Sequence, residues 1–148
     1  MTPYGKVAQA AIASMSLLAE RYSESLPVRL NSREIAERRK LSQAIVAKVL
    51  TTLSQSGLVT GAPGPGGGYA LARPPQQITL QQVVSPFDRL EDTLVCPFGE
   101  GWCGNGPQCP LHEQLDSLRS QVTSFLQQPT LAKFSPAEPT GPAAEATS

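Results

Sequence analysis

Between Asn31 and Leu71 the chain spells two short helices, a tight link and a glycine-tipped hairpin, and few folds accept that order. Asn31 is placed to cap a helix with its side-chain oxygen, and Glu34, three residues on, can bond back to the cap. Residues 32–39 then read as a helix, Ser-Arg-Glu-Ile-Ala-Glu-Arg-Arg. Lys40–Leu41 is the link, and Ser42 is the next cap. Residues 43–56 read as a second helix whose inner face is Ile45 or Val46, followed by Val49, Leu50 and Leu53. Gly57 ends it, because glycine enters positive φ without a Cβ clash. Leu58-Val59-Thr60 and Tyr69-Ala70-Leu71 are strand candidates on either side of Gly61-Ala62-Pro63-Gly64-Pro65-Gly66-Gly67-Gly68.

Two helices, a short link and a hairpin form the order of a winged helix-turn-helix. The expected fold is mainly α with a small β-hairpin wing. A helix over 4–22, with Val7, Ala11, Met15, Leu18 and Tyr22 on one apolar face, precedes the pair. Val28-Arg29-Leu30 could add a short strand. Thr79 and Gln82 form a second capping box, opening a helix over 80–85. From Pro110, Leu111, Leu115, Leu118, Val122 and Phe125 recur at heptad spacing, which predicts a long C-terminal dimerisation helix over 110–128. The expected organisation is a DNA-binding domain over 1–80, a cysteine loop with the dimerisation helix over 81–128, and a disordered tail over 129–148.

The charge agrees with a polyanion partner. The chain is neutral overall, with 12 Lys and Arg against 12 Asp and Glu. Residues 1–80, however, hold nine basic against four acidic side chains, a net of +5, and 81–148 hold three against eight, a net of −5. The candidate contacts to a double-stranded DNA operator are Arg33, Arg38, Arg39, Lys40, Ser42, Gln43, Lys48 and Thr51 on the helix pair. Gly66 and Gly67 on the wing tip join them, since a narrow glycine tip can approach the phosphate backbone. Loss of Lys48 or Arg39 is expected to weaken operator binding. A helical adaptor that binds protein rather than DNA is the other reading of the same pattern. No basic start followed by an apolar core opens the chain, and no apolar run is long enough to span a bilayer. A cytoplasmic protein with no membrane partner is expected.

The three cysteines fall within one segment, Cys96-Pro-Phe-Gly-Glu-Gly-Trp-Cys103-Gly-Asn-Gly-Pro-Gln-Cys109-Pro-Leu-His112. An odd, clustered set favours a metal or redox site over a disulfide framework. Cys96, Cys103, Cys109 and the chain's single histidine, His112, make a four-ligand set for an iron–sulfur cluster or for zinc. A zinc knuckle normally grips its ion with at least one tight Cys-x2–4-Cys pair. The wider loops here suit a larger 2Fe–2S or 4Fe–4S cluster, with zinc as the alternative and three reduced surface thiols as the plain reading. Cys109 would cap the helix at Pro110, where partial positive charge favours a thiolate. A catalytic cysteine lacks a base, since there is no second histidine. Phe98 and Trp102 could shield a cluster or simply pack on a neighbouring helix.

Several stretches together resemble the winged-helix iron–sulfur regulators of the IscR and NsrR type. They are Glu34-Ile35-Ala36-Glu37-Arg38, Lys48-Val49-Leu50-x-x-Leu53, Gly57-Leu58-Val59, Gly64-Pro65-Gly66-Gly67-Gly68-Tyr69-x-Leu71-Ala72-Arg73, and the cysteine loop before a long helix. The resemblance covers roughly residues 4–134. It implies a homodimer paired through the long helix, a roughly palindromic operator, and a cluster whose state biases DNA affinity. Three positions depart from the pattern. Pro63 stands where relatives often carry an arginine that enters the minor groove, so operator preference is expected to differ. The Cys96–Cys103 gap is one residue longer than in the best-known members. Gln9 stands where some relatives supply a carboxylate ligand, which favours His112 or an external group as the fourth ligand.

Overall fold

The computed structural model describes residues 5–25, 28–88 and 110–135. Helix α1, Lys6–Glu20, is followed by α2, Ser32–Arg39, and α3, Gln43–Gln55. Strands β1, Val59–Ala62, and β2, Gly68–Leu71, come next, then a 3₁₀ turn at Pro75–Gln77 and the short α4, Leu80–Val84. Helix α5, His112–Gln127, and a second 3₁₀ turn, Leu131–Phe134, complete the described chain. Among the described residues no helix is long and apolar enough to cross a membrane.

The caps act as the sequence predicts. Asn31 Oδ1 accepts from the Glu34 N–H at 2.8 Å, and Glu34 Oε1 accepts from the Asn31 N–H at 3.0 Å. Thr79 and Gln82 repeat the box at α4, at 3.2 and 3.0 Å. Ser42 caps α3 by accepting from the Ile45 N–H. The choice between Ile45 and Val46 falls to Val46, which is fully buried with Val49, Leu50 and Leu53, while Ile45 faces solvent.

Helix α1 departs from the expected single apolar face. Ala8, Ala10, Ala11, Ser14, Met15, Ser16, Leu17, Leu18 and Ala19 are all buried. It is the hub of the described fold: α2, α3, β2, α4 and the Leu131–Phe134 turn all pack on it. Its alanines and serines let those neighbours approach closely.

The wing pairs antiparallel, with Val59 opposite Leu71 and Ala62 opposite Gly68. The expected strand at 28–30 reduces to one bridge, in which Leu30 and Tyr69 exchange both backbone hydrogen bonds at 2.9 and 2.7 Å. Helix α5 begins at His112 rather than Pro110, which lies in the preceding turn.

The expected disorder from 129 onward does not hold for 129–135. Leu131 is completely buried, its N–H donates to the Ile78 carbonyl at 2.9 Å, and Thr130 bridges Thr79. One hydrophobic cluster therefore runs from Ala8 through Val84 to Leu126 and Leu131, crossing the expected boundaries at 80 and 128.

Candidate nucleic-acid interface

Helix α3 presents its core stripe on one side and a polar, small-residue stripe on the other. At 100° per residue, Ala44, Lys48 and Thr51 lie opposite the mean direction of Val46, Val49, Leu50 and Leu53. Gln43, Ala44, Ala47, Lys48 and Thr51 are all exposed. Ser42 is exposed as well, although its oxygen already serves the cap. The Thr51 hydroxyl donates back to the Ala47 carbonyl at 3.0 Å, so its proton is used within the helix.

On α2, Arg33 and Arg38 are exposed. Arg33 lies 3.7 Å from Glu37 with both side chains largely in solvent, a weak pairing that a phosphate could replace. Lys40 closes α2 in the left-handed conformation, φ 57°, with its side chain in solvent.

Arg39 has a different task from the one expected. Its Nε donates to the Ala13 carbonyl at 3.2 Å, and its Nη2 to Ser16 Oγ at 3.0 Å and Glu20 Oε2 at 2.5 Å. The guanidinium fastens α2 to α1, a structural task that needs no duplex. Arg39→Ala should cost about 1–2 kcal/mol of stability, mainly through lost hydrogen bonds, since the half-exposed Glu20 carboxylate is well solvated. A urea melt and an operator titration check this together: the melt should shift while affinity stays within about threefold.

The wing tip is a tight turn in which the glycines answer to the protein's own backbone. The Gly67 N–H donates to the Gly64 carbonyl at 2.9 Å. A Cβ on Gly67 would stand 2.2 Å from the Ala62 carbonyl oxygen. Gly66, at φ +78°, has open space around it, as does Gly64 at φ +86°. From Thr60 to Ala72 no side chain carries a charge.

Arg29 belongs to this surface and was not anticipated. Its Nη1 donates to the Thr60 carbonyl at 2.9 Å, tying the base of the wing to the segment before α2. Arg29, Asn31, Ser32 and Glu34 face Gly64–Gly67 across a polar crevice of about 660 Å³. The sequence signal was a basic residue inside an apolar extended triplet, but its partner lies 31 residues away.

Of the expected metal ligands, His112 is the first residue of α5 and is half-buried. Cys96, Cys103 and Cys109 lie outside the described residues.

A capped helix pair with an exposed α3 face, flanked by an antiparallel wing, defines a DNA-binding winged-helix regulator. The model of the Rrf2 family, described as iron-dependent transcriptional regulators, matches residues 5–136, and the chain belongs to that family. It is 34% identical over 134 residues to the HTH-type transcriptional regulator IscR of Cronobacter sakazakii, covering 90% of this chain and 78% of that one. Two solved structures share the fold. IscR of T. potens superposes with a TM-score of 0.68 at 21% identity, over 86% of this chain and 82% of that one. CymR, the global cysteine regulator of B. subtilis, gives 0.70 at 23% identity, over 88% and 94%. These relatives are transcriptional regulators, not enzymes.

Proposed function

We propose that this regulator binds a double-stranded DNA operator as a homodimer, with an affinity set by an iron–sulfur cluster on Cys96, Cys103, Cys109 and His112. The observation that carries the reading is a three-thiol, one-imidazole set ending on the first residue of α5, in a chain of a family described as iron-dependent. That donor set fits a 2Fe–2S or 4Fe–4S cluster, since thiolates and a neutral imidazole are its customary ligands. Bound there, the cluster would supply a centre responsive to redox state, iron supply or nitric oxide. The chain's part is linkage: a change at the cysteine segment alters operator affinity only if it stabilises one DNA-binding geometry over another.

The dimer reading rests on α5. Leu111, Leu118 and Phe125 are between 45% and 47% exposed in the single chain, along the predicted heptad seam. Phe125 also lines an open hollow of about 830 Å³ with Ile12, Leu80 and Phe134. A second copy laid along α5 over residues 110–128 would cover the seam.

Anaerobic purification tests the cofactor. The expected product is brown, with iron and sulfide bound, and Cys103→Ser should lose both. A colourless protein with stoichiometric zinc would replace the cluster with a structural ion. For the operator, Lys48→Ala should weaken binding about five- to twentyfold and lower the salt-dependence slope by about one, with an unchanged melt. Equal affinity of the two proteins would remove α3 from the interface.

A further inference from the structure

We propose that α3 selects thymine in the operator by packing the thymine methyl group against the Cβ atoms of Ala44 and Ala47. The inference rests on α3 being the reading helix and names what it reads.

The argument starts from which groups on α3 can satisfy a base edge. The exposed residues from Gln43 to Thr51 include Gln43, Ala44, Ala47, Lys48 and Thr51. Thr51 gives its hydroxyl proton to the Ala47 carbonyl at 3.0 Å, and Thr52 gives its own to the Lys48 carbonyl at 3.2 Å. Gln43 and Lys48 are then the long polar side chains available in this stretch. Ala44 lies near the centre of the outward stripe, and Ala47 lies one turn on from Gln43, between it and Ala44 around the helix. The surface that would lie deepest in the groove is therefore apolar and small.

The major groove offers few partners to such a surface. Adenine, guanine and cytosine edges present hydrogen-bonding groups, whereas thymine adds a C5-methyl. A methyl pressed on a carbonyl, amino or ring-nitrogen group removes its water and returns no hydrogen bond, which is unfavourable. Pressed on the thymine methyl, it removes apolar surface from water on both sides. The short alanine side chains also let the helix backbone settle close enough for that contact. The polar residues on either side, Gln43 and Lys48, frame the thymine position without competing for it.

The test uses the full-length protein and duplexes it selects from a random pool. Each thymine in the selected half-site is then replaced by deoxyuridine, which deletes the methyl and leaves the pairing and the polar edge unchanged. Binding should fall about three- to fivefold at one or two thymines, the value of one buried methyl, and stay level at the others. Ala44→Gly and Ala47→Gly should each bind the thymine duplex more weakly and lose the thymine–uracil difference at one of those positions. Should either variant fold poorly, the uracil scan with the unaltered protein still decides. Indifference to every uracil substitution, with selection of a defined sequence intact, would overturn methyl reading and leave operator binding standing. Failure to select any sequence would overturn operator binding itself.

Discussion

Gly68→Ala is expected to destabilise the protein by about 3 kcal/mol or more, a drop of about 10 °C in melting midpoint. Gly68 sits at φ +126°, where L side chains are rarely found. A Cβ there would stand 2.6 Å from the Leu30 carbonyl carbon, 2.7 Å from its oxygen and 2.9 Å from the Asn31 nitrogen. All three are backbone atoms, so no rotamer change relieves the overlap. Relief requires the wing to move off Leu30, breaking the paired Leu30–Tyr69 hydrogen bonds beside the cap of α2. Gly66→Ala is the internal control. It shares a positive φ, +78°, but meets nothing within 4 Å, so it should cost about 1 kcal/mol. Thermal unfolding of the two variants separates backbone approach from conformational strain. Equal midpoints would mean that Leu30 does not crowd Gly68.

Leu131→Ala should lose about 3 kcal/mol, the range for a large-to-small change at a fully buried site. The side chain belongs to the same apolar cluster as Leu18, Ile78 and Leu80, and its segment packs on α1. A urea melt gives the answer. If the chain after Pro129 were a solvated tail, the substitution would shift the midpoint by less than about 0.5 kcal/mol equivalent.

Legibility from sequence followed the range of the physics involved. The caps at Asn31, Ser42 and Thr79 were readable because each bond closes within three residues. The turn of α2 into α3 and the hairpin were readable for the same reason, as local chemistry. The internal task of Arg39 is not legible, because its partners, Ala13, Ser16 and Glu20, precede it by 19 to 26 residues. A cation beside two others looks like a DNA contact until a distant carboxylate claims it. The segment after 129 was misjudged because its Pro, Ala and Thr content resembles that of tails. Its order depends on Ile78 and Thr79, about 50 residues earlier, and the local clue was only the Thr130 cap and the Leu131–Phe134 spacing. The breadth of α1 burial escaped notice because alanine and serine score weakly as apolar, yet they bury well against close neighbours. The cysteine set is legible as chemistry alone, since Cys96, Cys103 and Cys109 fall outside the described residues.

The left-handed lysine between α2 and α3 sets backbone comfort against charge. Position 40 has a conformation that glycine adopts at no steric cost and lysine only at a penalty on the order of 1 kcal/mol. Glycine would relieve that penalty. Lysine instead leaves a positive charge on an exposed corner just before the start of α3. A charge held there adds to any long-range attraction for a polyanion, so glycine at position 40 would remove the backbone penalty and that attraction together.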